Sequence, residues 1–327
     1  MNEPTFLDRA SKKLWSEKLW IDVEEELSFP TSRPLLAHYT SIQTFEQIVT
    51  KEQFWFSNPL FMNDLEELRF GMNEGANELL KNKTIRHACR TSENYRKLLD
   101  SFYYLLNDFD SNHVLNTYIL CFSEHAPNDN DGLLSMWRGY GNSGSGAALV
   151  IDTEKINENP ELPLTIGKVR YASNEERIKW INEKLDSLAD VISKHAKEEN
   201  DFFKAAWAWM DRLKMFALFT KHHGFHEERE WRIVYMSDRD HEQSFNKYFG
   251  HLATNRGIEP KLKLPINSIP QLQTENLSLG TLVDRIILGP SVSSVLAANS
   301  LRQMLRNIGQ PDLAKKVVTS EIPFRAT

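Results

Sequence analysis

Short apolar runs and stretches of helical periodicity follow one another irregularly along this chain. Runs rich in β-branched and aromatic residues predict strands at residues 35–39, 54–57, 117–123, 147–152, 168–171, 230–235, 282–288 and 316–318. Apolar residues at helical spacing predict helices over 5–28, with interruptions over 63–107, and over 293–309. Because strands and helices do not alternate regularly, the pattern predicts a mixed α+β fold rather than a doubly wound parallel sheet.

The longest helical stretch covers residues 174–219. Its apolar face is interrupted by charged residues at 198–201, which predicts two helices rather than one. Near the N-terminus, Pro30 and Pro34 end the first helical pattern, because proline cannot continue a helix. We therefore predict an N-terminal helical extension at 1–33 and a single α+β domain at 34–327, with a helical insertion at about 174–219.

Composition narrows the classes of protein. The 327 residues include 45 acidic and 39 basic side chains, and the resulting net charge of −6 argues against a broad electrostatic nucleic-acid binder while leaving a local basic groove open. Cys89 and Cys121 are isolated, which argues against a disulfide scaffold or a thiolate zinc site. The chain has neither an apolar run of about 20 residues nor a signal peptide, so we expect a cytoplasmic protein without a membrane partner.

Two strand ends carry polar and aromatic residues suited to a ligand cleft. His38 and Thr40 end the first strand and can bind ribose hydroxyls, and Tyr39 between them offers a stacking face. On the second strand, Trp55 and Ser57 share one side because alternate residues point to opposite faces. The alternative is purely structural: a helix cap with a histidine satisfied inside the fold, and an apolar strand followed by a turn.

An acidic segment before a late strand offers paired carboxylates. Glu228 and Glu230 are two residues apart, so on a strand both point to one face and can shift each other's pKa. The alternative is a solvated acidic run paired with arginines such as Arg232. A third interpretation places His222, His226 and Glu230 on one helix face as metal ligands, although Gly224 interrupts that helix.

A glycine-rich loop at 139–146 follows Arg138. Glycines permit close approach of a ligand to the backbone, and Arg138 can hold a phosphate. The spacing is neither that of a phosphate-binding P-loop nor that of a dinucleotide fingerprint. A loop that leads into the next strand is the structural alternative.

Six segments in order resemble a bacterial family of unknown function, number 2971 in the series of such domains. They are Leu36 to Ser41, Phe54 to Asp64, Cys121-Phe122-Ser123, Met136 to Gly141, Glu228 to Arg232 and Ile287 to Pro290. The resemblance covers about residues 35–305. These motifs are specific to the family and not to a reaction.

The order of the motifs also resembles the ADP-ribosyltransferase-like superfamily. That resemblance implies mixed, mainly antiparallel sheets around a cleft, with helical insertions. It implies that His38 binds the nicotinamide ribose of NAD, that Thr40 supports it, and that Ser57 lies beside the pocket. By the same resemblance, Glu230 stabilises an oxocarbenium-like transition state and Glu228 positions an acceptor. The sequence departs from that pattern at Tyr39, where the superfamily has a glycine whose backbone holds the carboxamide.

Three functions follow as hypotheses. The first is an NAD-consuming transferase or NAD glycohydrolase, with NAD as substrate, His38, Glu228 and Glu230 as catalytic residues, and a protein or nucleic acid as acceptor. The resemblance suggests a toxin or an anti-phage defence effector. The second is a non-catalytic module that senses a nucleotide or nucleic acid on the same scaffold, suggested by the many aromatic residues and by Tyr39 in place of glycine. The third is a metal-dependent nuclease using His222, His226 and Glu230.

Overall fold

The computed structural model describes residues 9–26, 33–62, 65–156, 162–254, 257–266 and 277–324. The strands are β1 (Leu35–Thr40), β2 (Gln53–Ser57), β3 (Thr117–His125), β4 (Ala147–Asp152), β5 (Leu164–Lys168), β6 (Arg170–Ala172), β7 (Thr220–His222), β8 (Glu230–Met236), β9 (Phe249–Thr254), β10 (Gly257–Pro265), β11 (Val283–Leu288) and β12 (Val317–Thr319). The helices are α1 (Arg9–Glu26), α2 (Ile42–Lys51), α3 (Leu65–Lys81), α4 (Lys83–Ala88), α5 (Ser92–Asp108), α6 (Leu134–Gly139), α7 (Asn174–His195), α8 (Glu199–Phe219), α9 (Leu279–Leu282), α10 (Val295–Asn307) and α11 (Pro311–Lys315).

Within the described residues, ten strands form one mixed sheet. Its main path runs β12-β11-β4-β1-β3-β2-β10-β9, with β8 on β3 and β5 on β8. All described pairings of this sheet are antiparallel except that of β11 with β12. The short strands β6 and β7 form a separate parallel pair. The prediction of an α+β fold is therefore confirmed, and the sheet is mainly antiparallel.

The sheet forks at β3. Ser123 lies between Ala37 of β1 and Glu230 of β8, so β1 and β8 flank opposite edges of β3. Ser57 of β2 pairs with Ile119 on the edge that β1 also uses. Two strands therefore share one edge of β3, and they separate towards different partners, β4 for β1 and β10 for β2.

The two faces of the sheet are covered by different helices. Along β3, Tyr118, Leu120 and Phe122 enter a core formed with α2, α10 and α11. The alternate residue Ile119 enters the other core, formed with α1, α3, α4, α5, α7 and α8. A smaller cluster joins Tyr39 of β1 to α6 on that second face. Because strand residues alternate between faces, one strand supplies both cores.

The two helices predicted within 174–219 are confirmed as α7 and α8. Ser173 and Glu176 form a reciprocal capping box at the start of α7. The carboxylate of Asp201 accepts hydrogen bonds from the backbone N–H groups of Lys197 and Glu198, at 2.9 and 3.0 Å, and so fixes the start of α8. The charged segment that separates the two apolar stretches therefore acts as the cap of the second helix.

Some elements depart from the predictions. The strand expected at 168–171 is divided between β5 and β6 at Val169, whose N–H donates to the carbonyl of Glu230 at 2.8 Å. The hairpin of β9 and β10 was not predicted. The helix predicted at 5–28 is observed as α1 over the described residues 9–26, and residues 5–8 and 27–32, with most of the break predicted at 29–34, lie outside the described residues. No helix in the described part of the chain combines the length and the apolar character needed to cross a bilayer.

Candidate functional site

A polar cluster is buried on the sheet face that also packs against α6 and α8. We call it the Glu228–Glu230 cluster, and it consists of Tyr140, Tyr171, Lys221, Glu228, Glu230 and Arg232. Tyr140 follows the end of α6, Lys221 lies on β7 directly after α8, and Glu230 and Arg232 lie on β8. Tyr171 lies on β6, so four different parts of the chain converge on the two glutamates.

Lys221 connects the two glutamates. Its ammonium group lies 2.6 Å from Oε2 of Glu228 and 3.4 Å from Oε2 of Glu230. The lysine is only 1 % exposed, and an ammonium ion that is buried this deeply needs negative partners to offset its lost hydration. The exposed ring of Phe225 covers it, with its centroid 4.8 Å from Nζ.

Arg232 holds Glu230 in a bidentate ion pair. Its Nε donates to Oε1 at 2.8 Å and its Nη2 donates to Oε2 at 2.9 Å, while its Nη1 donates to the carbonyl of Leu218 at 2.6 Å. Arginine and glutamate are both buried, at 1 % and 2 % exposure. A buried pair of this geometry is costly to break, because the remaining charge would stay in the interior without a partner.

The two carboxyl groups are driven towards opposite protonation states. Burial raises the pKa of Glu228 above its usual value, and the nearby Lys221 offsets this only in part. Burial also opposes ionisation of Glu230, but Arg232 and Lys221 outweigh it and lower the pKa of Glu230 to about 2. Neighbouring acids whose pKa values are pushed apart in this way are suited to different chemical roles.

Tyrosine and serine hydroxyls complete the polar contacts. The hydroxyl of Tyr140 donates to Oε1 of Glu228 at 3.0 Å, and Ser123 donates to the backbone carbonyl of Glu228 at 2.7 Å. The hydroxyl of Tyr171 accepts the backbone N–H of Glu230 at 2.8 Å, and burial raises the pKa of Tyr171. Tyr140 is 36 % exposed, so the cluster reaches the surface beside Glu228.

The two glutamates converge for a reason other than the strand spacing predicted above. Strand β8 begins at Glu230, and Glu228 instead ends a short 3₁₀ segment that begins at His223. Arg229 between them has a left-handed backbone, with φ of 44°. The shared contact with Lys221, rather than alternation along a strand, therefore brings Glu228 and Glu230 together.

His38 lies at the fork on the other side of the sheet. Ala37, not His38, is in register with Ser123 and Glu230. Because successive strand residues point to opposite faces, the side chain of His38 lies on the face of the sheet opposite to the Glu228–Glu230 cluster. Its Nδ1 is 2.9 Å from the carbonyl of Cys121, and its ring contacts the edges of Phe54 and Phe122. Burial lowers the pKa of His38.

The residues next to His38 have structural contacts. The hydroxyl of Tyr39 accepts the N–H of Leu133 at 2.9 Å, its ring packs edge-on against Trp137, and burial raises its pKa to about 12. Thr40 is buried, and Ser41 rather than Thr40 caps α2. Tyr39 therefore anchors the start of α6, which is a different role from the stacking face predicted for it.

Trp55 and Ser57 lie on the face of the cluster but make separate contacts. Lys51 and Lys263 lie over the Trp55 ring, 5.6 and 4.5 Å from its centroid. Ser57 accepts a hydrogen bond from Lys261 at 2.8 Å. Within the described residues, no hydrogen bond or ion pair joins either residue, or His38, to Glu228 or Glu230.

The remaining candidates are also accounted for. Arg138 is exposed, and its guanidinium lies 5.4 Å from the ring centroid of Phe324. His222 lies on β7, His226 lies in the 3₁₀ segment and Glu230 begins β8, so the helix face required by the metal interpretation does not form. Among the described residues, no group of three or more histidine, cysteine or acidic side chains is arranged to hold a metal ion.

Lys221 and Tyr171 were not predicted as site residues, and no role was predicted for Tyr140. Lys221 carried one usable signal, since it lies two residues after the apolar run at 215–219, where a buried position is expected. A basic residue in such surroundings usually has an acidic partner nearby. The role of Tyr171 depends on pairing between distant segments and left no local signal.

Residues 136–233 match the model of a protein family described as Protein of unknown function (DUF2971). No curated protein and no solved structure matches the chain at a significant level. The match supports assignment of this stretch to a family of unknown function. All six residues of the Glu228–Glu230 cluster lie within the matched stretch, whereas His38, Tyr39, Thr40, Trp55 and Ser57 lie outside it.

Proposed function

We propose that the Glu228–Glu230 cluster is the centre of an NAD-consuming enzyme that cleaves the bond between nicotinamide and ribose. The observation that carries the proposal is a pair of carboxyl groups bridged by Lys221, of which Glu230 is clamped by Arg232 and Glu228 accepts a hydrogen bond from the exposed Tyr140. The resemblance of Glu228 and Glu230 to the Glu-x-Glu motif of the ADP-ribosyltransferase-like superfamily adds support, and His38, on the opposite face of the sheet, has no part in this proposal.

Glu228 is the residue that meets the substrate in this proposal. Two exposed aromatic side chains, Tyr140 on Glu228 and Phe225 over Lys221, offer flat surfaces for a pyridine or adenine ring, at 36 % and 45 % exposure. A carboxylate with a raised pKa is also a better base near neutral pH than an ordinary one. Glu230 acts as a positioning residue, since it holds Lys221 against Glu228 and is itself enclosed by Arg232.

The chemical step is a substitution at C1′ of the ribose. The bond between C1′ and the nicotinamide nitrogen breaks, and its electron pair leaves with nicotinamide. The oxygen of water or of an acceptor hydroxyl bonds to C1′, and its proton passes to Glu228. The negative charge of the carboxylate also stabilises the oxocarbenium character that develops at C1′.

Release of nicotinamide from NAD tests the proposal. The full-length protein is incubated with NAD, and nicotinamide is separated and quantified over time. We expect Glu228→Gln to lower kcat by about 10²- to 10⁴-fold, the usual loss when an acid–base group is removed. Glu124→Gln is the matched control, because that carboxylate contacts Lys168 and Trp231 outside the cluster. Absence of both NAD binding and nicotinamide release would refute the proposal.

A second candidate function is non-catalytic nucleotide sensing, and a cavity favours it. The cavity, of about 540 Å³, lies between β6 and helices α7 and α8. Its aromatic walls include Trp180 and Phe216, which stack with centroids 4.3 Å apart, and Tyr171, which also contacts Glu230. This volume and aromatic lining are typical of small-molecule sites.

Thermal stabilisation by nucleotides separates the two candidates. If the protein is a sensor, we expect AMP or NAD to raise the Tm without any nicotinamide release. Ala172→Leu places a larger side chain in the wall of the cavity and should abolish the rise in Tm. Glu228→Gln should leave the rise in Tm unchanged. The opposite pattern would assign nucleotide binding to the carboxylate cluster.

A further inference from the structure

A basic depression lies at the corner between α4 and α5, away from the Glu228–Glu230 cluster. Its volume is about 570 Å³. The residues that line it are Lys83, Arg86, His87, Arg90, Thr91 and Ser92. Three of them carry a permanent positive charge and none is acidic, although the whole chain has a net charge of −6.

These cations are exposed and lack acidic partners. Among the described residues, no ion pair joins Lys83, Arg86 or Arg90 to a carboxylate. Arg90 donates to the carbonyl of Ser193 at 2.8 Å, and Arg86 lies over the ring of Tyr95 at 5.7 Å. The nearest acids along the chain are engaged elsewhere, Glu78 with Lys81 and Glu93 with Lys97.

The spacing places like charges side by side. Arg86 is three residues after Lys83 on α4, and Arg90 lies two residues beyond the end of that helix, with a left-handed backbone (φ of 65°), on the wall of the same depression. Basic residues three or four apart on a helix are neighbours and repel each other, which destabilises the helix. An anion in the depression would relieve that repulsion.

We propose that this basic depression binds the phosphodiester backbone of a nucleic acid strand. Helix α4, from Lys83 to Ala88, extends over roughly 8 Å at the helical rise of about 1.5 Å per residue, and Arg90 follows its end. Successive phosphates of one DNA strand are about 3.4 Å apart along the axis, so this reach spans several phosphates. Arginine guanidinium groups donate two hydrogen bonds to one phosphate and suit this contact.

The shape of the surface favours a strand over a lipid bilayer. A bilayer headgroup plane contacts flat or protruding surfaces, whereas these cations line a concavity. The proposal goes beyond the NAD chemistry, because it names a partner that contacts α4 and the start of α5 and does not involve Glu228. Its failure and that of the proposed activity are therefore measured separately.

Fluorescence anisotropy with labelled oligonucleotides tests the proposal. The probes are a 20-nucleotide single-stranded DNA, the matching RNA and the DNA duplex, each titrated with full-length protein at several salt concentrations without NAD. We expect the triple variant Lys83→Gln, Arg86→Gln, Arg90→Gln to weaken binding at least tenfold. The magnitude of the slope of log K against log salt should fall by about 2 to 3, since each of the three lost phosphate contacts removes about 0.7 to 0.9.

A matched triple variant controls for net charge. Lys155→Gln, Lys194→Gln and Lys315→Gln remove the same number of charges from exposed sites outside the depression. We expect this control to show the same slope of log K against log salt as the wild type, and a binding constant within about threefold of the wild-type value. Circular dichroism establishes that both variants are folded.

Four outcomes would overturn the assignment. The first is absence of binding to any oligonucleotide, and the second is an equal loss of oligonucleotide affinity in the two triple variants. The third is binding to vesicles that contain phosphatidylserine without binding to oligonucleotides. The fourth is complete displacement of the oligonucleotide by low millimolar inorganic phosphate at constant ionic strength, which would indicate a site for a single anion.

Discussion

The Glu228–Glu230 cluster and the basic depression use charge in opposite ways. In the cluster, Lys221 and Arg232 are buried and each contacts Glu230. In the depression, Lys83, Arg86 and Arg90 are exposed, and no described carboxylate pairs with them. The comparison shows that burial makes pairing obligatory for structure, while exposure leaves charge available for a ligand.

Removing Arg232 should have the largest effect on stability. In Arg232→Met, Glu230 remains buried without its bidentate partner, and we expect the free energy of unfolding to fall by about 3–5 kcal/mol. Urea unfolding measures the change. The double variant Arg232→Met, Glu230→Leu should recover much of the loss, and a loss that persists in the double variant would contradict the charge argument.

Acid should weaken the cluster in a defined pH range. The pKa of Glu230 is lowered from 4.5 to about 2, so its contribution to stability is complete above pH 4.5 and is lost as the pH falls from 4.5 towards 2. The shift corresponds to about 3 kcal/mol at most. Urea unfolding at pH 6, 4 and 3 measures the loss, and Glu230→Gln should show a flatter dependence on pH.

Tyr171→Phe should have a smaller effect. The variant removes the hydroxyl that accepts the N–H of Glu230, and we expect a loss of about 1–2 kcal/mol for an unsatisfied backbone donor. Tyr140→Phe is the comparison, because its hydroxyl is near the surface and water can replace it. Equal losses in both variants would show that burial does not distinguish the two tyrosines.

The basic depression should tolerate substitution with almost no change in stability. We expect Lys83→Gln and Arg86→Gln to change the free energy of unfolding by less than about 0.5 kcal/mol, because both side chains are exposed and neither has an acidic partner among the described residues. Any change should be stabilising, since repulsion is reduced. A loss above 1 kcal/mol would show that these cations stabilise the fold.

The strands that were predicted from sequence are those whose signal is local. Residues 147–152 form a continuous apolar run and give β4 with the predicted bounds. Strand β10 was missed because Pro260, Lys261 and Lys263 obscure its pattern, and only Leu262 and Leu264 face the core. A central strand rarely contains proline, and the lysines are accommodated by contacts with other strands.

The candidate site likewise contains residues that a local sequence signal identified and residues whose position depends on the pairing of distant strands. The Glu228–Glu230 pair was found from residue type and spacing, because acidic residues two apart before an apolar strand are visible in the sequence. The position of His38 was not predictable, since its separation from Glu230 depends on the register of β1 with β3. A shift of one residue in register moves a side chain to the opposite face. The predicted NAD contacts of His38, Thr40 and Ser57 stay predictions.

The pattern of residues alone determined that this chain is α+β and where most of its helices and strands lie. It also identified Glu228 and Glu230 as candidate functional carboxylates. Hydrophobic periodicity and capping act over a few residues, so they can be read directly from the chain. Only the tertiary structure decided which charges are paired and which are exposed. Desolvation and Coulomb energies depend on distances between segments such as Tyr140, Lys221 and Glu228, which folding brings together.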